Sequence, residues 1–204
     1  MGADHSQGMA IAGGQSVAEL RRQRAEIQAL NARSDDLHIL SGTEVEIKAD
    51  GSLDYPDQVL AELDLVVAAL HTGHRSSREQ ATQRMLAAIR NPHVDIIAHP
   101  TNRLIGRRAG LDLDMQAILC AASEMDTALE INAHPDRLDL CAQHARMAVE
   151  AGVKLAISSD AHDVNDMSLL FFGVGTARRG WATRESVINT WDLNRLLAWA
   201  GNRA

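Results

Sequence analysis

Five apolar runs recur along the chain at nearly regular intervals. They are HILSGTEVEI (38–47), LDLVVAAL (63–70), VDIIA (94–98), TALEIN (127–132) and KLAISS (154–159). Each is short and mostly apolar rather than alternating, the pattern of strands buried on both faces. The stretches between them carry helical spacing instead. Residues 16–33, SVAELRRQRAEIQALNAR, place Val17, Leu20, Ile27 and Leu30 on one stripe, and Ser16 with Glu19 forms a capping box. REQATQRMLAAIRN (78–91) is helical and stopped by Asn91-Pro92, LDMQAILCAASEM (113–125) is helical, and RLDLCAQHARMAVEAG (137–152) reads as a helix ending in glycine. DGSLDYPD (50–57) is a turn, and further helical segments follow residue 159. Strands alternating with helices predict an α/β fold with a parallel sheet covered by helices. No linker or composition break interrupts residues 1–204, so one domain is expected.

Composition narrows this picture without changing it. Hydrophobic residues make up 46% of the chain and aromatics only 3%, so a full core is expected to rest on Leu, Ile, Val, Ala and Met. The net charge of -7 argues against coating nucleic acid through bulk positive charge, but leaves room for a carboxylate-rich site neutralised by cations. Cys120 and Cys141 form no CxxC pattern and read as small buried apolar residues. No apolar run is long enough to span a bilayer and no signal-peptide layout opens the chain, so a cytoplasmic protein without a membrane partner is expected.

The candidate chemistry lies in where polar residues meet the strands. Glu44 lies within the first run, His71 directly follows LDLVVAAL, His99 directly follows VDIIA, Glu130 and Asn132 end TALEIN, and Asp160 and His162 follow KLAISS. From Glu44 to His71, His99, Glu130 and Asp160 the intervals are 27, 28, 31 and 30 residues, about one βα unit each. In a β/α barrel all strand carboxyl ends meet at one face. Imidazoles and carboxylates converging there make a site for divalent transition metals. Any one of these histidines alone reads as a hydrogen-bonded structural residue; the repeated placement is what points to a metal. Asp64 and Asp95 begin strands at the opposite face and are expected to be structural. His38, His93 and His144 read as surface or capping residues, and His74 and His134 stay open.

These residues carry a family resemblance. The motifs are DH at 4–5, GTE at 42–44, His71, HP at 99–100 and DAH at 160–162. With them the chain resembles the PHP (polymerase and histidinol phosphatase) family of metallophosphoesterases. Longer stretches, DGSLDYPDQVLAELDLVVAALHT, NPHVDIIAHPTNRLIGRRAG, ALEINAHPDRLDL and GVGTARRGW, are similar to the C-terminal PHP domain of bacterial family X DNA polymerases. The resemblance implies a distorted (β/α)7 TIM-like barrel holding up to three manganese or zinc ions. It implies that Glu44 bridges two metals, that His71 and His99 complete one of them, that Asp160 binds the other, and that His5 and His162 serve the third. No catalytic side chain is implied beyond these ligands, a metal-bound water being the nucleophile.

The family pattern begins with an HxH motif on the first strand, and this chain carries none. The expectation is therefore a barrel lacking its first strand or strands, with Met1 a fragment boundary or a misassigned start. The Glu44, His71 and His99 site keeps its implied ligands, while the other two lose histidines. An unpaired edge would also be left, a hazard for association.

Arg103, Arg107 and Arg108 follow the HP motif, and Arg178 and Arg179 precede Gly180 and Trp181. Arginine forks suit phosphate, so Arg103, Arg107, Arg178 and Arg179 are candidate phosphate contacts. Trp181 offers a ring on which a base could stack, but a core or packing role is the first expectation. The resemblance implies a phosphodiesterase acting as a 3′-5′ exonuclease on DNA 3′ ends in repair, with polymerase domains of the same parent chain as partners. The alternatives are a stand-alone phosphatase on a small phosphate monoester such as histidinol phosphate, and an inactive structural PHP domain. A zinc-dependent deaminase or amidohydrolase barrel fits the DAH and HP motifs less well.

Overall fold

The computed structural model describes residues 2–8, 13–34, 36–73 and 75–201. Six parallel strands are hydrogen-bonded in the order of the chain: β1 (Gly2–His5), β2 (Ser41–Glu46), β3 (Leu65–Ala69), β4 (Ile96–Ile97), β5 (Ala128–Asn132) and β6 (Leu155–Ser158). Helices α1 (Val17–Asn31), α2 (Asp57–Leu60), α3 (Arg78–Ile89), α4 (Met115–Glu124) and α5 (Ala142–Glu150) alternate with the strands, and α6 (Leu170–Arg179) and α7 (Leu193–Gly201) follow β6. Among the described residues no helix is long and apolar enough to cross a membrane.

The capping box expected on the first helix is present, and a second one not expected from sequence holds the start of α3. Ser16 and Glu19 form a reciprocal capping box on α1, and Ser77 and Gln80 repeat it on α3. The helix expected over 137–152 is shorter. It begins at Ala142, because Leu138 takes a φ of 44° and the chain first makes a turn in which the Arg137 and Leu138 amides donate to the His134 carbonyl. The two-residue strand β4 is also shorter than the apolar run VDIIA. Gly2–His5 forms a strand paired in parallel with β2, although its sequence carries no apolar run.

Strand parity divides the core in two. Val45, Val66, Ala68, Ile97, Leu129, Ile131, Leu155 and Ile157 face the surrounding helices. Leu65, Val67, Ala69, Ile96, Ala98, Ala128 and Ala156 face inward, where Ile188 and Trp199 close one end. Six strands spaced at about 4.8 Å put the edges of a flat sheet some ~24 Å apart. Yet the rings of His5, ending β1, and His162, following β6, lie 6.0 Å apart. The sheet is therefore rolled into a barrel-like curve whose edge strands approach at their carboxyl ends. Among the described residues β1 and β6 exchange no ladder hydrogen bonds.

Asp64 and Asp95 act as the sequence suggested. Asp64 accepts from the Ser41 amide and hydroxyl, and Asp95 accepts from the Val66 amide, tying neighbouring strands at their amino ends. The two cysteines do not match their expected burial. Cys120 is exposed on α4 and Cys141 is half-buried at the cap of α5, the polar edges of helices that bury their alanine faces instead. Trp181 is likewise 66% exposed, its ring covered by the Arg146 guanidinium at 3.2 Å rather than by core.

Candidate metal centre

Register sets which side chains enter the barrel mouth. Pairing of His5 with Glu44, Glu44 with Val67 and Glu46 with Ala69 puts His5, Glu44, Glu46 and, one step past β3, His71 on the inward face. On the far side, Glu130, Asn132 and Ser158 continue the inward faces of β5 and β6 beyond the apolar layer. His99 falls out of this parity. It reaches the cluster through a φ of 26°, and Asp160 similarly takes a φ of 52°. Such left-handed backbone in non-glycine residues is uncommon and concentrates at functional sites.

The side chains meet at one oxygen. Glu44 Oε1 lies 2.9 Å from His71 Nε2, 3.2 Å from His99 Nε2 and 4.0 Å from His5 Nδ1. The rings of His5 and His99 stand edge-on to His71 at 5.2 and 5.1 Å. His5, Glu44 and His71 each offer a ligand atom within 4.8 Å of the others. His71 Nδ1 is 2.7 Å from Glu46 Oε2. A carboxylate only accepts, so Nδ1 carries the proton and, in the neutral ring, Nε2 presents a lone pair to Glu44. His71 Nε2, His5 Nδ1 and His99 Nδ1 are all buried without a hydrogen-bond partner. A lone pair on His71 Nε2 aimed at a buried carboxylate needs a cation between them, and the His5, Glu44 and His71 ligand atoms, with His99 Nε2 beside Glu44, suit a divalent transition metal. The residues present fit the group.

The same carboxylate contacts govern how readily these imidazoles take a second proton. Burial disfavours charge on His71, but its contacts with Glu44 and Glu46 outweigh burial and push it up to about 9. Burial likewise opposes ionisation of Glu44, yet His71 and His99 hold its carboxyl well below the usual range. His99 is raised against burial by Glu44, whereas burial prevails at His5 and lowers it despite Glu44. Fully buried Glu130 is pushed up to about 7 by desolvation; it accepts from the His99 amide at 2.5 Å and from the Ser158 hydroxyl.

The remaining candidates form a second group. Asp160 is held through Oδ2 by Asn132 at 2.9 Å and Arg137 at 3.3 Å. His162 is largely exposed, with Nδ1 2.9 Å from the Asp160 carbonyl. Arg103 donates to the carbonyls of Arg137 and Leu138 at 2.6 and 2.5 Å, so its guanidinium braces a turn. Arg107 is exposed, 3.8 Å from Asp136. Arg178 and Arg179 are exposed in the last turn of α6. His134 supports its turn, Nδ1 accepting from the Asp136 amide, and His74 lies outside the described residues.

Three residues that brace these ligands were not singled out from sequence: Glu46, Arg137, and Arg84 of α3, whose Nη2 lies 4.0 Å from Glu46 Oε1. For Glu46 a signal existed, since a residue two positions from Glu44 on a strand shares its face. Arg84 and Arg137 come from a helix and a turn, where strand spacing carries no information.

No protein-family model matches the chain. The DNA polymerase/3′-5′ exonuclease PolX of Bacillus subtilis (strain 168) is 44% identical over 196 residues, 96% of this chain and 34% of that protein. A probable phosphatase of Thermoanaerobacter sp. (strain X514) is 32% identical over 180 residues, 83% of this chain and 71% of the phosphatase. The chain belongs to the PHP family. A probable phosphatase of Aeromonas hydrophila is 34% identical over 137 residues, 63% of this chain and 53% of that relative. This PHP chain thus spans about a third of the polymerase and most of the Thermoanaerobacter phosphatase.

Proposed function

We propose that this PHP domain is a manganese- or zinc-dependent phosphoesterase that hydrolyses phosphodiester bonds at DNA 3′ ends, working beside the polymerase domains of a longer parent chain. The observation that carries the metal-dependent part is the buried, unbonded Nε2 of His71, 2.9 Å from Glu44 Oε1 and flanked by His5 and His99. Support for DNA as substrate comes from the 44% identity to PolX across 96% of the chain.

His5, Glu44, His71 and His99 would hold one ion, and Asp160 and His162 would extend the site toward a further one. A divalent ion there supplies Lewis-acid activation of water and neutralises charge developing on the phosphoryl group. The chain's own residues orient and confine. Glu46 fixes the His71 ring, Glu130 fixes the His99 backbone, and Asn132 with Arg137 fixes Asp160. Exposed Arg107, in the loop after β4, is the first candidate for the substrate phosphate, with Arg178 and Arg179 as outer contacts. Arg103 acts through the 137–138 backbone.

The test is release of 3′-terminal nucleotides from a labelled single-stranded oligonucleotide by the manganese-loaded chain, against His99→Ala. Loss of release in a folded variant supports the proposal. Coverage of 71% of the Thermoanaerobacter phosphatase favours a second reading, a phosphatase for small monoesters. Hydrolysis of a monoester with no action on the oligonucleotide would select it. Inertness toward both would select a structural PHP domain.

A further inference from the structure

We infer that Glu46 is the positioning residue of the metal centre: it orients His71 so that Nε2 faces Glu44, and Arg84 locks it there. This rests on the metal-dependent reading above. Glu44 and Glu46 stand two residues apart on the same face of β2 and approach opposite nitrogens of one imidazole, at 2.9 and 2.7 Å. Glu46 is only 5% exposed. Its Oε2 accepts from both the ring Nδ1 and the amide of His71, at 2.7 and 3.1 Å, and its Oε1 accepts from the Thr72 hydroxyl at 2.8 Å. One carboxylate therefore fixes the ring, its tautomer and the backbone that carries it.

Arg84, from α3, closes the arrangement. It is 6% exposed and Nη2 lies 4.0 Å from Glu46 Oε1. Nη2 also donates to the Thr72 hydroxyl at 3.3 Å, which donates to Glu46, and the guanidinium reaches three carbonyls: Nε that of Lys48 at 2.9 Å, Nη1 that of Thr72 at 2.9 Å and Nη2 that of Ile47 at 2.5 Å. The guanidinium thus bridges the segment after β2 to the turn after β3. A buried arginine and a buried carboxylate placed this way hold a histidine in one orientation, which is what pre-organises a metal ligand. Neither group touches the position between the ligand atoms, so both act through His71.

The test is zinc affinity, measured on the whole chain after stripping, by competition with a chromophoric chelator at fixed pH. Outer partners of ligating histidines typically affect metal affinity by about 10–100-fold. Glu46→Ala is expected to weaken zinc binding on that scale, Glu46→Gln by less, and Glu46→Asp least. Near-ultraviolet circular dichroism checks the fold, and the isosteric Gln variant decides the matter where Ala fails to fold. A second readout is the His71 Nδ1 proton in the zinc-loaded protein: a slowly exchanging low-field resonance in the parent, moved upfield in Glu46→Gln, whose amide oxygen still accepts, and lost in Glu46→Ala. Unchanged zinc affinity in folded Glu46 variants, with binding lost in Glu44→Ala, overturns the role of Glu46 alone. Unchanged affinity in Glu44→Ala as well overturns the metal centre with it.

Discussion

His5 and His162 lie 6.0 Å apart, ring to ring, although one ends the first strand of the sheet and the other follows the last. That approach joins curvature to chemistry. Rolling the sheet brings β1 within reach of the segment after β6, and Glu44 of β2 lies 4.0 Å from His5 on the other side. His5 is thus shared between the Glu44 cluster and the Asp160–His162 group.

Unequal metal losses should follow from this position. His5→Ala is expected to weaken zinc binding at least ~10-fold, about 1.4 kcal/mol. His162→Ala, removing a side chain that is 68% exposed, should have a smaller effect. Chelator competition on both variants checks the order; equal losses would place His162 inside the tight site.

Gly73 and Gly106 separate backbone strain from collision. Both take positive φ, 83° and 74°. A Cβ at Gly106 meets open space, whereas one at Gly73 would strike Arg84 Nη1. Gly106→Ala should therefore lose only the left-handed backbone term, about 1–2 kcal/mol. Gly73→Ala should lose more, and should also weaken zinc binding by displacing Arg84 from Thr72. Denaturant midpoints for both variants, with zinc affinity for Gly73→Ala, test this.

The strand ends were legible because parallel strands buried on both faces leave unmistakable apolar runs, and a polar residue directly after such a run must lie at the carboxyl face. His71 and His99 were found that way. Strand β1 was not legible as a strand: Gly2–His5 has no apolar run, and its order comes from pairing with β2, a non-local term that local pattern does not encode. The helix expected from residue 137 failed for a related reason. The Arg103 guanidinium, from the loop after β4, holds the 137–138 carbonyls, and Asn132 exchanges backbone hydrogen bonds with Asp139, against a locally acceptable helical pattern. Side chains serving His71 and Asp160 from α3 and that same turn, Arg84 and Arg137, carry no periodic signature at all.

Tyr55 should produce a stability loss at alkaline pH unrelated to the metal centre. It is 1% exposed and its hydroxyl donates to the Gln15 carbonyl at 2.5 Å. Burial, with the nearby Asp54 charge, pushes its phenol up to about 12. The folded chain then holds the phenolic proton more tightly than the unfolded chain, whose value is about 10. This stabilisation is fully present below about pH 10 and is lost as pH rises through about 12, to a limit of roughly 2–3 kcal/mol. Urea midpoints of the parent should fall in that window relative to Tyr55→Phe. At neutral pH the variant should be weaker by about 1 kcal/mol, the lost hydrogen bond.

Trp199 closes the other end of the barrel, and its removal should destabilise the fold while sparing the metal centre. The ring belongs to the inward apolar cluster together with Leu40, Leu65 and Ala128, which stand at the starts of β2, β3 and β5, and Nε1 donates to the Asp126 carbonyl at 3.0 Å. Trp191 meets it edge-on at 5.9 Å. Truncating a buried tryptophan typically costs about 3–5 kcal/mol. The inward layer of Val67, Ala69, Ile96 and Ala98 lies between it and the His71–Glu44 cluster. Trp199→Ala should therefore lower the denaturation midpoint sharply, while zinc affinity measured below that midpoint stays within about twofold of the parent, a change of roughly 0.4 kcal/mol. A matching loss of zinc affinity in the folded variant would mean that the two ends of the barrel are coupled through that layer.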